Sequence, residues 1–265
     1  MEKKYQLQSC VWEITLACCF SCKYCGSKGG KARENELTTR ECLGVVGQLK
    51  ELGCERVSLI GGEVFMRSDW AEIVQAMTES GIQVAIITNG YLFTKQLLRQ
   101  LKELQIESVA VSLDGPQEVH DKYRQQGSFA RADRAIQILT ENEIPVSVIS
   151  TLQSQNVPYL EQFYEYLKTK SIMAWQLQAC SPMGNARNSG VDYRIDVKKV
   201  LHFVEQHMFK APFAIGIADN IGYYTNSEGY LRGNLSGYAF FAGCRAGITS
   251  IGIDSAGNVR GCESM

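Results

Sequence analysis

Between Val11 and Ala179 the chain alternates short β-branched runs with amphipathic helical stretches. Few folds accept that order. Strands read over residues 11–17, Arg56 to Ile60, Val84 to Thr88, Ser108 to Leu113, Val146 to Thr151 and Met173 to Ala179. Between them, Thr38-Thr39-Arg40-Glu41 forms a capping box. It opens a helix to about Leu52, with Leu43, Val46 and Leu49 on one side and Gly53 as the stop. Ser68 or Asp69 caps a helix to Ser80, Thr94 one to Leu104 and Asn156 one to Leu167. A further helix spans Phe129 to Asn142. Strands separated by helices pair in parallel, with right-handed crossovers. The chain holds six such units, two fewer than a closed eight-stranded barrel needs. The expected fold is α/β, an open, partial (β/α)6 barrel.

The polar Pro182 to Arg194 loop marks a boundary after this core, which covers 1–182. Residues 183–243 form a linker and helix region, with a helix over Asp196 to Phe209 and no assignment from 213 onward. Residues 244–265 end in a small β-hairpin, Thr249 to Ile253 and Val259-Arg260 around a turn at Asp254 to Asn258.

Distinctive polar motifs stand immediately after strands. They are the cysteine-rich loop after the first, Gly61-Gly62-Glu63 after the second, Thr88-Asn89-Gly90 after the third and Asp114-Gly115 after the fourth. They collect at the carboxyl end of the sheet, where sites lie in such folds. Residues 26–37, rich in Gly, Lys and Arg, read as a mobile loop.

In the first loop Cys18, Cys22 and Cys25 are spaced Cys-x3-Cys-x2-Cys. The N-terminus lacks the apolar run of a signal peptide, so the ten cysteines are expected in a reducing cytoplasm, in metal, redox or core roles rather than disulfides. Cys42 and Cys54 read as buried small hydrophobes. Three neighbouring thiolates can hold one inorganic centre. A cubane 4Fe–4S cluster normally takes four, so three leave an iron open to a ligand. A three-cysteine zinc site and free core thiols are the competing readings. Net charge is −1 with no long run of either sign, which argues against nucleic acid or an anionic membrane surface as the main partner.

The triplet, with Tyr24 before its last cysteine and Gly61-Gly62-Glu63 one unit later, resembles the radical S-adenosylmethionine (SAM) enzymes. Val64 stands where that family often has proline. The resemblance implies a 4Fe–4S cluster on Cys18, Cys22 and Cys25, with SAM chelating the open iron. Reductive cleavage of SAM then gives a 5′-deoxyadenosyl radical that abstracts hydrogen. It implies SAM contacts from Tyr24, Gly61, Gly62, Glu63, Asn89, Ser112, Asp114 and Arg124. Glu63 would meet the amino group, Ser112 and Asp114 the ribose or methionyl part, and Arg124 the carboxylate. Gln178, which alternates with Trp175 and Leu177, is a further candidate for the ribose or a peptide substrate. Ordinary readings stand beside these: turn formation for Ser112 and Asp114, a surface ion pair for Arg124, a solvated side chain for Gln178. No catalytic residue beyond the cluster and SAM is indicated.

Cys244-x12-Gly257-x4-Cys262 resembles the first half of the SPASM auxiliary-cluster motif. The resemblance implies an auxiliary iron–sulfur cluster held in part by Cys244 and Cys262. Two thiolates are too few for one, so the chain reads as a fragment, or as holding an incomplete cluster, or none. Cys180 is a conceivable third ligand. Many SPASM enzymes modify peptides, so the leading expectation is a peptide maturase. Its partners would be a peptide or protein substrate and a flavodoxin- or ferredoxin-like one-electron reductant. With no N-terminal recognition domain apparent, a leader peptide is expected to need either a separate peptide-recognition protein or a groove on the barrel. The alternatives are small-molecule or haem-like cofactor biosynthesis, and a non-catalytic iron–sulfur protein.

Overall fold

A computed structural model of the chain describes residues 6–221, 227–228, 231 and 243–263. Most of the stretch left unassigned from 213 onward, and the last two residues of the hairpin region, lie outside the described residues. The chain divides into two compact units, Met1–Ser21, Cys25–Ala110 and Arg245–Met265 in the first, Cys22–Tyr24 and Val111–Cys244 in the second.

The first unit contains β1 (Ser9–Glu13), α1 (Thr39–Glu51), β2 (Arg56–Ile60), α2 (Trp70–Glu79), β3 (Gln83–Thr88) and α3 (Lys95–Glu103). Helix α1 begins as its capping box predicts. The Thr38 side chain accepts from the Glu41 N–H, and the Glu41 carboxylate accepts from the Thr38 N–H at 2.8 Å. Gly53 ends it at φ +78°, a conformation that favours glycine. Strands β1, β2 and β3 pair in parallel, Cys10 opposite Val57 and Val57 opposite Val84. Val57, Leu59, Val84 and Ile86 are fully buried, as are Ile73, Val74 and Met77 of α2. Cys42 and Cys54 are buried as expected, and burial pushes the Cys42 thiol up to about 11.

The C-terminal hairpin joins this same sheet. Strand β8 (Ser250–Ile253) runs parallel along β1, Ser9 opposite Ser250 and Trp12 opposite Ile253, and turns back antiparallel into β9 (Val259–Arg260). Asp254 shapes the turn by accepting from the N–H groups of Ala256 and Asn258, each at 3.0 Å. The strand order in this unit is β9-β8-β1-β2-β3.

Strand β4 (Ser108–Ser112) is shared, Ser108–Ala110 falling in the first unit and the rest in the second. The second unit continues with α4 (Gln117–Tyr123), α5 (Ser128–Glu141), β5 (Val146–Leu152), α6 (Leu160–Lys168), β6 (Ala174–Ala179), α7 (Val197–His207) and β7 (Ala214–Ile217). Strands β5, β6 and β7 are parallel, Ile149 opposite Gln176 and Gln176 opposite Gly216. Trp175 packs edge-on to Phe163 of α6 and Phe203 of α7, at 5.6 and 5.7 Å between ring centres. Trp175 and Leu177 therefore face the helices, and Gln176 and Gln178 point to the opposite face. Among the described strands β9 and β7 are edges, so the α/β sheet is open, as the unit count predicts.

Four local expectations change. Strand β1 ends at Glu13, earlier than residue 17. Helix α4 escapes sequence reading because it is seven residues long and buries His120, Asp121 and Tyr123 rather than an apolar stripe. Asn156 stands at the N-cap of the helical stretch before Leu167 but makes no side-chain cap. Its side chain donates to the carbonyls of Asp114 and Thr151, and a single 3-10 turn at Val157–Tyr159 precedes α6. Residues 26–37, read as mobile, are tied down over their later part: Arg33 donates to the buried Glu13 and to Ser255, and the Leu37 N–H to the Ser255 carbonyl at 2.8 Å. No described helix is long and apolar enough to cross a membrane.

Gly44 and Gly47 are exposed positions in α1 with open space where a Cβ would stand. Each change to alanine is expected to raise stability by about 0.5–1 kcal/mol, read as a higher midpoint in urea unfolding. An unchanged or lower midpoint would contradict the helix.

Candidate active site

The path from β1 to the cysteines is set by backbone packing. Gly62 donates to the Thr15 carbonyl at 2.8 Å, and the Glu63 N–H to the Ala17 carbonyl at 2.7 Å. A Cβ on Gly62 would stand 2.2 Å from the Ala17 oxygen, and one on Gly61 2.6 Å from the Thr15 oxygen. Both glycines are therefore required by the chain's own backbone. On the other side, Glu36 accepts from the Leu16 N–H at 2.6 Å, the Thr15 hydroxyl at 2.9 Å and the Arg33 N–H at 3.2 Å. Gly30 closes the bracket, since its carbonyl accepts from the Cys18 N–H and its own N–H donates to Leu16, both at 2.9 Å.

Two sulfurs of the triplet already receive backbone hydrogen bonds. Cys18 Sγ accepts from the Phe20 N–H at 3.4 Å and Cys25 Sγ from the Gly29 N–H at 3.2 Å. Asn89 comes close: its Nδ2 lies 3.4 Å from Cys19 Sγ and 3.9 Å from Cys18 Sγ. Its N–H donates to Glu63, at 2.8 Å, and the Thr88 hydroxyl donates to the same carboxylate at 2.8 Å. Glu63 is 1 % exposed, and burial pushes its carboxyl up to about 7 against the lowering effect of these donors. Within the first unit, then, Cys18, Cys25, Gly61, Gly62, Glu63 and Asn89 come together.

Within the second unit, Cys22–Tyr24 meets the end of β4. The buried Tyr24 hydroxyl donates to Asp114, which also accepts from Arg124 Nε at 2.5 Å and from the Thr151 N–H at 2.9 Å. The Arg124 guanidinium lies 5.5 Å over the Tyr24 ring. Burial would raise the Asp114 carboxyl, but Arg124 and His120 outweigh it and hold it below the usual carboxylate range. Asp114 and Arg124 are thus engaged with each other and with Tyr24. They would reach a ligand only through atoms these bonds leave unused. Ser112 is half-buried on the face of β4 opposite Val109 and Val111, and Gln178 donates to Thr151 at 3.1 Å. Cys180 is buried with Tyr24, Tyr123, Ala186 and Val191. Cys244 is exposed and belongs to the second unit, while Cys262 is half-buried in the first.

Sequence reasoning gave no role to Arg33, Glu36 and Asn185, and took Thr88 only as part of the Thr88-Asn89-Gly90 motif. Thr88 had a signal, as it directly precedes Asn89-Gly90. Glu36 and Arg33 had none, being charged residues in a polar loop.

Among the described residues, no three His, Cys, Asp or Glu side chains are arranged around a single metal ion. A cubane asks for something else, one thiolate on each of several irons. The donor set fits that demand: three cysteines in one loop, two with N–H···S hydrogen bonds of the kind that tune iron–sulfur centres.

An open β/α sheet with a three-cysteine loop after its first strand defines the class of iron–sulfur enzymes that cleave SAM. The model of the radical SAM superfamily matches residues 12–167, and the chain belongs to that family. Its cofactors are accordingly a 4Fe–4S cluster and SAM. The chain is 28% identical over 196 residues to an AdoMet-dependent heme synthase of Methanosarcina barkeri, covering 73% of this chain and 56% of that protein. It is 35% identical over 157 residues to the mycofactocin maturase MftC of Mycolicibacterium smegmatis, covering 58% of this chain and 40% of that one. The chain thus spans about half the length of these relatives. Streptococcus suis SuiB bound to S-adenosylmethionine superposes with a TM-score of 0.78 at 16% identity, covering 97% of this chain and 60% of SuiB, and shows the same fold. SuiB has also been solved bound to its precursor peptide SuiA.

Gly62→Ala is expected to lower soluble yield and thermal stability sharply, because backbone rather than a flexible side chain occupies the space. A melting temperature equal to that of the unmodified protein would remove this contact. Glu63→Ala leaves the Asn89 N–H and the Thr88 hydroxyl buried without their acceptor. It is expected to cost about 2–4 kcal/mol in denaturant unfolding, with Glu63→Gln in between. A loss below ~0.5 kcal/mol would show that the carboxylate does not tie the two strand ends together.

Proposed function

We propose that the chain is the SAM-cleaving core of an enzyme that abstracts hydrogen from a peptide or protein. Cys18, Cys22 and Cys25 hold the cluster, and Gly61-Gly62-Glu63 and Asn89 flank the amino group of SAM. Asp114 and Arg124 act on SAM through Tyr24 or through their remaining atoms. Ser112 and Gln178 line the face that receives ribose or substrate. Cluster and SAM together supply a 5′-deoxyadenosyl radical; the chain's own residues bind, orient and exclude water. A cytoplasmic setting, a flavodoxin- or ferredoxin-like reductant and a separate peptide-recognition protein complete the reading. Cys244 and Cys262 would contribute to an auxiliary cluster only with further ligands.

The observation that carries the peptide reading is the chemistry of β5, β6 and β7. None of their residues is ionisable. On the face turned from the helices, Gln176 is exposed beside Gly216, which has open space where a Cβ would stand. A neutral surface with amide groups suits peptide backbone, which offers donors and acceptors in pairs. Haem precursors carry several carboxylates and call for cations, which these strands lack. The relatives include both chemistries, and this surface favours the peptide.

The test uses anaerobically reconstituted protein with SAM and a strong reductant. It is offered peptides encoded beside its gene and, in parallel, an iron coproporphyrin. We expect 5′-deoxyadenosine formation coupled to loss of hydrogen from a peptide. Turnover of the porphyrin alone would overturn the reading, and absence of 5′-deoxyadenosine in every arm would make the chain a non-catalytic iron–sulfur protein. Gln176→Leu is expected to raise the peptide KM about 3- to 10-fold, for ~1 kcal/mol of hydrogen bonding.

A further inference from the structure

The loop after β6, Pro182 to Asn188, has no part in the cysteine motif or in the face of β5–β7, yet it reaches the cysteine loop. Asn185 Nδ2 donates to the carbonyl oxygen of Cys22 at 3.0 Å. Asn185 sits in a 3-10 turn, Gly184–Arg187, whose Ala186 is buried in the small core with Tyr24, Tyr123, Cys180 and Val191. Val119 of α4 packs on the same core. The turn therefore has a fixed seat, and its amide a fixed direction.

Two further bonds hold the same three residues. The Lys23 N–H donates to the Tyr123 carbonyl at 2.9 Å, and the Tyr24 hydroxyl to Asp114. The Tyr24 and Tyr123 rings stack at 6.4 Å with 30° between their planes. Each of Cys22, Lys23 and Tyr24 is thus bound by a different element: the turn after β6, the end of α4 and the end of β4. The segment has no helix or strand of its own to define it. Such a segment keeps one conformation only if outside partners supply it.

We propose that Asn185 is a positioning residue for the iron–sulfur centre, fixing the backbone of Cys22 so that its thiolate is presented to the cluster, with Asp114 doing the same for Tyr24. A ligand must be held to about 0.5 Å for a cluster to form and persist, and the groups that orient ligands matter nearly as much as the ligands. The Cys22 carbonyl accepts from the Asn185 amide, which anchors this backbone to the turn after β6. The inference holds whichever substrate the enzyme takes.

The variants are Asn185→Ala, which removes the donor from a half-buried turn, and Tyr24→Phe, which keeps the ring and removes only the hydroxyl. Three readouts are taken: melting temperature, the rate of iron loss from the reconstituted protein to a chelator, and alkylation of each cysteine in the metal-free protein by mass spectrometry. For Asn185→Ala we expect an unchanged melting temperature, iron loss about 10-fold faster, and faster alkylation at Cys22 with Cys18 and Cys25 unaffected. Tyr24→Phe should move the same readouts in the same direction, by less. Wild-type iron retention and Cys22 alkylation in Asn185→Ala would overturn the inference. So would a lowered melting temperature with all three cysteines equally accelerated, since that is the mark of a merely structural role.

Discussion

The closest constraint in the first unit is backbone on backbone. Gly61 and Gly62 lie so near Thr15–Ala17 that no side chain fits between them. This contact joins the end of β2 to the stretch leaving β1, and so sets where Cys18 begins. Everything else around that exit agrees with it. Glu36 takes the free N–H of Leu16 from the far side, and Glu63 binds β2 to the N–H of Asn89 after β3. The two carboxylates do one kind of work. Each satisfies donors that the end of a strand leaves open, where an unpaired N–H would cost ~1–3 kcal/mol. The cysteine loop departs from a point fixed on both sides, and no flexible hinge is needed.

The second unit meets the same difficulty with other means. Cys22–Tyr24 is itself neither helix nor strand and borrows its order from a buried aromatic core and a carboxylate. Asp114 is suited to this because several donors converge on it. Arg124 neutralises it, Thr151 ties it to β5, and Tyr24 receives what acceptor capacity remains. An Asp so engaged stays ionised in a dry place, where an unpaired one would take up a proton. The Asp-Gly after β4 is therefore more than a turn signal, and its first task is internal to the protein.

Regular elements were legible in the sequence because their signals are local. Thr38 and Glu41 cap α1, Gly53 and Gly81 stop helices at positive φ, and β2 falls where Arg56 to Ile60 placed it. The alternation of strands and helices carried the fold class for the same reason. What stayed hidden depends on partners remote in sequence. The pairing of β8 along β1 joins residues that the hairpin's own pattern does not connect. Arg33 and Glu36 sit in a run of Gly, Lys and Arg that reads as solvated until the buried Glu13 and the open N–H of Leu16 are seen beside it. Asn156 showed the opposite error. It has the residue type and the position of a helix cap, and the carbonyls of Asp114 and Thr151 claim its side chain instead. At the site, the cysteine triplet and Gly-Gly-Glu were plain, and the structure adds a reason for the glycines that the motif does not carry: they also admit the protein's own chain at Thr15–Ala17.

Substrate class turns on charge more than on shape. A barrel face built for a polycarboxylate must present cations at matching spacing, because buried or half-buried carboxylates are costly unless paired. Strands β5 to β7 offer two glutamines, Ser147, Thr151, the apolar Ile149, alanines and a glycine in that position. Glutamine amides have both donor and acceptor, and peptide groups present both. Such a face gains nothing from a propionate and loses little by being left to water. In the proposed reading it discriminates by pairing amides, and a flexible peptide needs pairing because its ordering entropy opposes binding. Related chains that share this fold and process different molecules would then differ on these strands first, while the glycine contact and the cysteine loop stay the same. In the proposed reading the cofactor end of the fold rests on backbone geometry, and the substrate end on side chains of three strands.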